Sequence, residues 1–289
     1  MRIDKLGLVA RGGGPAATRG KGPRRRAQRS CDMSGLKTAA EVGTGTVLER
    51  VSRNARSLLS LNRGREFGTL CRMLELEPAD SLLDVGSGDG YWTERFARRV
   101  GQVTGLEPDD AMLGRARRLH DRTNIRYEQG VGESLPFASA TFDKVVGVSS
   151  LEHFGDPVKG LEEMFRVLRE GGRMAISVDT LSPENSSTDF REWHSTRHHV
   201  TRYFREEELI SILTTIGFRV EPVTMHIFSS PLSRWARETF NKRPRQLLPL
   251  FPVFRGLVAL GDALPSGTDG QIIAVCAARP AAAGNGEAR

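Results

Sequence analysis

From residue 81 onward, short apolar runs alternate with segments in which apolar residues recur every three or four positions. A short apolar run bounded by turn residues is typical of a buried strand, and the three-to-four spacing is typical of an amphipathic helix. Elements that alternate in this way predict a parallel sheet covered by helices on both faces. The predicted strands are SLLDV, QVTGLE, IRYEQ, FDKVVGVSS and RMAISVD, and the predicted helices are YWTERFARRV, AMLGRARRLH and PVKGLEEMFRVLREGG, the last closed by Gly171 and Gly172.

Helical spacing also precedes this alternation, and a mixed pattern follows it. VLERVSRNARSLLSL and REFGTLCRMLEL are predicted as two lead-in helices. Farther along the chain, EEELISILTTIGF predicts an amphipathic helix, FRVEPVTMHIF a sixth strand and QIIAVCAAR a last strand. Residues 229–268 lie between those two strands, where a plain sheet of this kind needs only a hairpin turn. We predict that this insertion is helical.

The net charge of +7 belongs to the first 32 residues, which carry nine basic and two acidic side chains. The rest of the chain is neutral, so the charge gives little support to a nucleic-acid-binding body. Residues 1–32 are rich in Gly, Arg, Ala and Pro and lack apolar periodicity. We interpret them either as a stretch upstream of a true start at Met33 or as a disordered basic extension, with targeting or RNA contact as the remaining alternative. Residues 281–289 are also predicted to be disordered.

Cysteine usage and the lengths of the apolar runs bear on where the protein resides. The three cysteines, Cys31, Cys71 and Cys276, lie far apart and lack CxxC spacing, which argues against a disulfide scaffold and a zinc site. This usage is typical of a reducing compartment, and we predict a cytoplasmic protein. The longest uninterrupted apolar stretch, LLPLFPVF, is too short to span a bilayer.

The first predicted strand ends in a glycine-rich loop, within LLDVGSGDGYW. Gly86, Gly88 and Gly90 stand on alternate positions, which permits a tight turn and lets a ligand approach the backbone without meeting a Cβ atom. Glu107 ends the second strand, where a carboxylate can accept hydrogen bonds from both hydroxyls of a ribose. The loop reads GxGxG after Asp84, unlike the GxGxxG dinucleotide loop or the GxxxxGK[ST] phosphate loop. We therefore expect Asp84 to face a cationic amino-acid group instead of a pyrophosphate.

Five segments, taken in order, resemble the class I S-adenosylmethionine-dependent methyltransferases of the small-molecule group. They are LLDVGSGDGYW, VTGLEPDD, GVGESLPF, FDKVVGVSSLEHF and EEMFRVLREGGRMAISV. The resemblance is close over residues 81–178 and looser over residues 198–218. It implies a methyltransferase domain over residues 45–280 with a Rossmann-like, seven-stranded, mostly parallel sheet and an antiparallel C-terminal strand. It also implies S-adenosyl-L-methionine as the cofactor.

The same resemblance implies roles for individual residues around the cofactor. Asp84 and the backbone of Gly86 to Gly90 would hold its methionine end, Glu107 its ribose hydroxyls, and Pro108 would lie on the adenine side. In GVGESLPF the family places an acid where this chain has Val131. The backbone of Gly132 is expected to reach the adenine instead, while Glu133 either substitutes for the missing acid or faces solvent. Ser149 is expected beneath the sulfonium.

Two histidines are the candidate catalytic residues. His153 follows the fourth strand near the expected acceptor mouth, where it acts either as a general base or as a helix cap. His199 belongs to FREWHSTRHHVTRYF, a segment that lies where related enzymes carry an acceptor-side loop or lid. The clustered histidines of this segment lack Cys or acidic partners at ligand spacing, so no metal is predicted.

We expect methyl transfer to a small-molecule or lipid-linked acceptor, a sugar included. SSLE stands where nucleic-acid amino-methyltransferases carry an NPPY-type tetrapeptide, which argues against a nucleic-acid acceptor. The alternatives are a nucleic-acid methyltransferase that uses the basic tail and a non-catalytic relative that binds the cofactor. The insertion is basic in its first half and apolar in its second. It is either a structural cap or a peripheral membrane or acceptor contact through Arg243 and Arg245. The pattern does not predict an oligomeric state.

Overall fold

The computed structural model describes residue 49 and residues 60–221, 225–263 and 269–281, all within one compact unit, Ala40–Arg289. The predicted basic extension and the predicted tail beyond residue 281 lie outside the described residues. So does the first lead-in helix, apart from Glu49 and its last two residues. The second lead-in helix is present as α1, Arg63–Leu74.

The alternation predicted from residue 81 onward is present element by element. Strands β1, β2 and β3 have the predicted bounds, and β4 and α2 are shorter than predicted. In chain order the elements are β1 (Ser81–Val85), α2 (Tyr91–Phe96), β2 (Gln102–Glu107), α3 (Asp110–Leu119), β3 (Ile125–Gln129), β4 (Phe142–Val148), α4 (Pro157–Val167), β5 (Leu168–Asp179), α5 (Thr188–His198), α6 (Glu206–Ile216), β6 (Arg219–Val220), β7 (Met225–Ile227), α7 (Pro231–Lys242), α8 (Pro244–Leu247), α9 (Phe251–Ala263) and β8 (Ile272–Ala278).

The eight strands found in the described ranges form one mixed sheet in the order β3-β2-β1-β4-β5-β8-β6, and β7 also pairs with β8. Neighbours among β1 to β5 are parallel, and β8 is antiparallel to β5, β6 and β7. The predicted Rossmann-like sheet with an antiparallel last strand is confirmed. The strand count rises from seven because the predicted sixth strand is present as two segments. The N–H of Glu221 donates to the carbonyl of Cys276, and Met225 pairs with Ala274. Glu221 and Met225 are four residues apart, but their partners in β8 are only two apart. The pairing of β6 and that of β7 therefore do not share one regular register along β8.

The helix predicted to end at Gly171 and Gly172 ends earlier, at Val167. Leu168 has an extended backbone, with φ −74° and ψ 136°, and pairs with Phe142 of β4. The two glycines instead lie in the irregular first part of β5, where the register against β4 shifts. Leu168 continues the apolar spacing of the preceding helix, but its pairing with β4 places it in a strand.

Apolar side chains cover both faces of the sheet. On β1, Leu83 and Val85 pack on one face with α4 and α6, whereas Leu82 packs on the other face with α1 and α2. The predicted helical insertion consists of α7, α8 and α9, and Phe240 and Phe254 of its helices pack with residues of β7 and β8. In the described part of the chain, no helix combines the length and the apolar content needed to cross a bilayer.

The strand order reverses between β1 and β4, because β2 and β3 lie on one side and β5 on the other. In open α/β sheets, a ligand binds outside the carboxyl ends of the strands at such a reversal. The loops that follow β1 and β4 are therefore the place to look for a site.

Candidate functional site

Three glycines shape the loop after β1. Gly86, Gly88 and Gly90 have φ values of 78°, 55° and 77°, a region that residues with a Cβ atom rarely adopt. A Cβ on Gly86 would lie 2.6 Å from the Cβ of Ser150, and one on Gly90 would lie 2.4 Å from the hydroxyl of Tyr127. Conformation and close packing both require glycine at these two positions.

Asp84 closes β1 beneath this loop and is only 1% exposed. The hydroxyl of Thr93 donates a hydrogen bond to its Oδ2 atom at 2.6 Å. Burial raises the pKa of Asp84 to about 7, the Thr93 hydrogen bond opposes this rise, and the charge of Glu107 adds to it. A cation placed beside Asp84 would favour the ionised carboxylate, so the residue suits a ligand with an ammonium group.

Glu107 connects the end of β2 to the glycine loop. Its Oε2 accepts from the backbone N–H of Gly88 at 2.8 Å and its Oε1 from that of Asp109 at 3.1 Å. A carboxylate oxygen has two lone pairs, so both oxygens retain capacity for ribose hydroxyls. Pro108 is exposed, and its carbonyl accepts from the side chain of Gln129 at 3.2 Å.

The segment expected on the adenine side packs against the turn after β4. A Cβ on Gly132 would lie 2.2 Å from the ring of Phe154, and Oε1 of Glu133 accepts from the N–H of Gly155 at 2.8 Å. The Glu133 carboxylate therefore holds two loops together. Val131, which stands where the family has an acid, is 46% exposed.

Ser149 follows β4 in the left-handed region, with φ 46°. Its hydroxyl donates to Oε1 of Glu66 at 3.0 Å, and the hydroxyl of Ser177 donates to the same oxygen at 2.6 Å. Glu66 belongs to α1, and burial raises its pKa, although the Ser177 hydrogen bond and the charge of Arg63 oppose the rise. Glu66 is not among the site residues predicted from the sequence. The feature that could have identified it is its position, because it is an acid on the inward-facing side of an amphipathic helix.

The two predicted catalytic histidines are neighbours on the surface. Both are exposed, and Nδ1 of His153 lies 3.3 Å from the backbone oxygen of His199. The residue before His153 points inward instead. Glu152 is 0% exposed, and neither of its carboxylate oxygens has a hydrogen-bond partner of good geometry among the described residues.

Burial also raises the pKa of Glu152 well above its ordinary value. The charges of Asp179 and Glu66 add to this rise, and the backbone amides of Glu152 and Asp179 oppose it. Burial therefore favours the protonated form of the Glu152 carboxyl group. Glu152 is a second site residue that was not predicted from the sequence. A turn of only three residues has no repeating apolar pattern, so the sequence does not indicate which of its side chains points inward.

Asp179 ends β5 inside a buried polar cluster. Its Oδ1 accepts from Nη2 of Arg237 at 2.8 Å, and its Oδ2 lies 3.6 Å from Nε2 of His194. Burial lowers the pKa of His194 to about 4 although the charge of Asp179 acts to raise it, so the imidazole is neutral near pH 7. Burial acts to raise the pKa of Asp179. The charge of Arg237 is the largest opposing effect, and the pKa of Asp179 lies below its ordinary value.

The segment expected to be an acceptor-side loop or lid is mostly helical. It forms α5, whose inward-facing residues are Phe190 and His194, and Nδ1 of His194 lies 3.1 Å from the hydroxyl of Tyr203. His194 and Tyr203 are therefore the members of FREWHSTRHHVTRYF that join the buried cluster. His199 lies at the exposed carboxyl end of α5 with φ 55°.

A separate group of Glu206, His226 and Asp269 has the spacing of a metal site. Nδ1 of His226 accepts from the N–H of Gly270 at 3.1 Å, and its Nε2 lies 3.0 Å from Oε2 of Glu206. Because Nδ1 accepts, Nε2 is the ring nitrogen that can donate a hydrogen bond to Glu206. Both ring nitrogens are thus engaged in contacts within this cluster.

An open α/β sheet with a GxGxG loop at its reversal point and an acid at the end of the second strand defines the class I fold of S-adenosylmethionine-dependent methyltransferases. Residues 83–176 match the family described as a methyltransferase domain. The uncharacterized methyltransferase YdaC of Bacillus subtilis is 31% identical over 125 residues, which cover 41% of this chain and 69% of that protein. This chain belongs to the class I S-adenosylmethionine-dependent methyltransferase family.

Other relatives match over shorter shares of their length. A "probable S-adenosylmethionine-dependent methyltransferase" of Mycolicibacterium smegmatis is 34% identical over 51% of this chain and 54% of its own. The chain thus spans little more than half of this relative. Among solved structures, geranyl diphosphate C-methyltransferase from Streptomyces coelicolor has a TM-score of 0.57 at 17% identity, covering 75% of this chain and 77% of its own. A likeness at that identity is one of fold.

S-adenosyl-L-methionine is the cofactor of this family, and the residues of the site fit it. The glycine loop leaves its backbone open to a close approach, buried Asp84 suits an ammonium group, and Glu107 retains acceptor capacity for a ribose. The hydroxyls of Ser87 and Ser150, buried beside the loop, lack hydrogen-bond partners among the described residues, as expected of a polar lining that a ligand completes.

Proposed function

We propose that this protein transfers a methyl group from S-adenosyl-L-methionine to a small-molecule or lipid-linked acceptor. The observation that carries the proposal is the glycine loop at the sheet reversal, flanked by Asp84 and Glu107. When bound, the cofactor supplies a methyl group on a positively charged sulfur, activated for in-line displacement. Methyl transfer of this kind depends chiefly on alignment of the two reactants, which a rigid loop between β1 and α2 supports.

Residues of the glycine loop and of the neighbouring strand ends have separate roles in holding the cofactor. Asp84 accepts hydrogen bonds from the amino group of the methionine part, and Thr93 keeps the carboxylate in place. Glu107 accepts from the ribose hydroxyls. Gly132 lies on the adenine side through its backbone, and Ser149, fixed by Glu66, lies beneath the sulfur.

An acceptor that loses a proton on methylation needs a base near the carboxyl ends of β4 and β5. His153 and His199 remain candidates at the exposed mouth of the crevice. Glu152 is a third candidate, because its buried carboxyl group has no hydrogen-bond partner of good geometry among the described residues and burial raises its pKa. The Asp179–Arg237 pair stabilises the wall of the crevice beside it.

The acceptor class is inferred from the insertion and from the relatives. Trp235, Val253 and Leu260 of the insertion are 54%, 56% and 58% exposed, and Arg243 and Arg245 belong to the same insertion. An exposed apolar surface beside basic residues suits a greasy acceptor or the lipid surface that holds it. The names of two relatives, 2-methyl-6-phytyl-1,4-hydroquinone methyltransferase of rice and the ubiquinone/menaquinone biosynthesis C-methyltransferase of Idiomarina loihiensis, point to acceptors of small-molecule type.

The test combines cofactor binding with product identification. Calorimetry measures binding of S-adenosyl-L-methionine to the full chain, and methyl-labelled cofactor is then incubated with fractionated cell extract. We expect label in a small organic-soluble product. Label in RNA or DNA would support the nucleic-acid alternative, and tight binding without transfer to any fraction would support a non-catalytic relative.

A further inference from the structure

One buried acid beside the sheet reversal lacks the kind of partner that the neighbouring acids have. Glu152 is fully buried, and neither of its carboxylate oxygens has a hydrogen-bond partner of good geometry among the described residues. By contrast, Asp84 accepts from the hydroxyl of Thr93, and Asp179 accepts from Arg237. A buried acid without such a partner costs free energy, so its presence calls for a reason other than the stability of the fold.

The turn that carries Glu152 is held in place without the help of its carboxyl group. The backbone carbonyl of Glu152 accepts from the N–H of Thr201 at 3.0 Å and from the Thr201 hydroxyl at 2.6 Å. The N–H of His153 donates to the carbonyl of Ser150 at 3.1 Å, and Leu151 packs in the core. The backbone therefore fixes the position of the carboxyl group before any ligand arrives, as a binding site requires.

Ser150, two residues earlier, connects this turn to the glycine loop. Its hydroxyl is also buried and has no hydrogen-bond partner in the part of the chain that the structure describes. A Cβ on Gly86 would lie 2.6 Å from the Cβ of Ser150, and a Cβ on Gly147 would lie 3.0 Å from its Oγ atom. Two buried polar side chains without partners thus lie within three residues, next to the crevice in which the cofactor is expected.

Two further buried acids lie close to Glu152. Burial is the main cause of its raised pKa, the charges of Asp179 and Glu66 add to the rise, and the backbone amides of Glu152 and Asp179 oppose it. The carboxyl group therefore lies near the ends of β4 and β5. Arg237, the cation beside Asp179, is engaged with that carboxylate and with Gln271. A ligand that completes Glu152 has to donate a hydrogen bond, and the neighbouring acids favour a donor with a positive charge.

We propose that Glu152 binds an amine group of the acceptor and removes the proton that this amine loses before it is methylated. The inference rests on the proposed methyltransferase function and narrows its acceptor to an amine. An ammonium group is the hydrogen-bond donor that also supplies the positive charge. An anionic group is disfavoured because it would lie beside buried acids and leave both oxygens of Glu152 without a donor.

The proton transfer is balanced within this pair of groups. One N–H bond of the ammonium group breaks, and its electron pair stays on nitrogen as the lone pair that accepts the methyl group. The proton forms an O–H bond with the Glu152 carboxylate, and the raised pKa of this acid favours the transfer. The positive charge that the sulfur gives up reappears on the methylated nitrogen, and the proton on Glu152 passes to water after the product leaves.

The experiment compares octylamine, octanol and octanoate, which share one chain length and differ in their polar group. Calorimetry measures their binding to the full chain with S-adenosyl-L-homocysteine present. We expect octylamine to bind about tenfold or more tightly than octanol, the difference that one charge-assisted hydrogen bond makes, and octanoate to bind most weakly. Glu152→Gln should remove the preference for the amine and leave the affinity for octanol within about twofold. The matched control is Glu162→Gln, the same substitution at an exposed position of α4, which should keep the preference.

A second measurement addresses the other cation that is available to Glu152, the positively charged sulfur of the cofactor. S-adenosyl-L-methionine carries this charge and S-adenosyl-L-homocysteine does not, so the ratio of their affinities reports on groups that face the sulfur. We expect this ratio to be the same in the wild type and in Glu152→Gln. Thermal unfolding verifies that both variants are folded.

Three results would overturn the proposal. The first is equal binding of octylamine and octanol to the wild type, with both weakened in Glu152→Gln, which would assign a hydroxyl acceptor. The second is a preference for octylamine that persists in Glu152→Gln. The third is a lower ratio of S-adenosyl-L-methionine to S-adenosyl-L-homocysteine affinity in that variant, which would assign the carboxyl group to the cofactor. Failure of the wild type to bind either form of the cofactor would instead contradict the proposed function itself.

Discussion

The buried acids around the carboxyl end of the sheet have pKa values shifted in different directions because their surroundings differ. Asp179 is buried but lies against the guanidinium group of Arg237, which keeps it ionised. Glu66 receives only neutral side-chain donors, the hydroxyls of Ser149 and Ser177 and the amide of Asn62, and Glu152 has no well-formed partner among the described residues. Burial therefore raises the pKa of both acids. One acid with a lowered pKa thus lies near two acids with raised pKa values, a separation common at catalytic sites.

Asp84 should make cofactor binding depend on pH. Because its pKa is about 7 in the free protein, a proton must leave before the carboxylate can pair with an ammonium group. We expect the affinity for S-adenosyl-L-methionine to rise between pH 6 and pH 8. Asp84→Asn should remove this rise and weaken binding at pH 8 by about 1–3 kcal/mol. Calorimetry at several pH values measures both, with Glu162→Gln, an exposed acid of α4, as the control. An unchanged pH profile in Asp84→Asn would contradict the assignment.

Glu152 should make the unliganded fold less stable as pH rises. Its pKa is raised in the folded state, so the native protein retains a proton that the unfolded chain releases. The stability that this retained proton gives to the fold is present in full at pH values below the ordinary carboxyl pKa. It is lost as the pH rises toward the pKa of Glu152 in the folded state. Glu152→Gln should therefore gain stability over the wild type between pH 5 and pH 8, as urea unfolding would measure. An equal difference at both pH values would mean that the carboxyl group does not titrate in this way.

At the scale of elements, the strands that were predicted with the right bounds are those whose signal is local. SLLDV, QVTGLE and IRYEQ are short runs bounded by turn residues, and nothing in their surroundings competes with that pattern. The boundary between α4 and β5 was predicted wrongly because Leu168 continues a helical period yet pairs with β4. Helix α5 was not predicted, because only Phe190 and His194 of its residues are buried and so few positions give a weak period.

The insertion is tied to the sheet by one buried ion pair between α7 and the end of β5. Arg237→Met would leave the carboxylate of Asp179 buried without its charged partner, and we expect a loss of about 3–5 kcal/mol in the free energy of unfolding. Adding Asp179→Asn removes the charge that was left behind and should restore a large part of that loss. Thermal or urea unfolding of the two single variants and the double variant measures this coupling. Additive losses would show that the two groups do not depend on each other.

At the scale of the whole molecule, the protein combines an α/β body with an insertion that exposes apolar side chains and carries six basic residues against two acidic ones. Five of the eight large apolar side chains that are exposed in the described ranges belong to this insertion. Its inner side packs against β7 and β8 through Phe240, Phe254 and their neighbours. The same element therefore serves as a structural cap and presents an apolar surface outward.

The outward surface should bring the protein to anionic lipid. With residues 1–32 removed so that the basic segment does not contribute, we expect the protein to float with anionic liposomes and less with neutral ones. Arg243→Glu combined with Arg245→Glu should reduce flotation, while cofactor binding stays unchanged. If neither protein floats and both methylate a water-soluble acceptor equally well, the insertion acts only as a cap.

Local order in the sequence determined the alternating elements, the parallel sheet with its antiparallel last strand, and the glycine loop. Asp84 and Glu107 could be selected because each lies at the carboxyl end of a strand, and these ends meet at one edge of a parallel sheet. Only the tertiary structure identified Glu66, Glu152 and Arg237. Glu66 and its partner Ser177 are 111 residues apart along the chain. Burial and the approach of distant segments decide the charge and partners of such groups, and neither follows from a pattern along the chain.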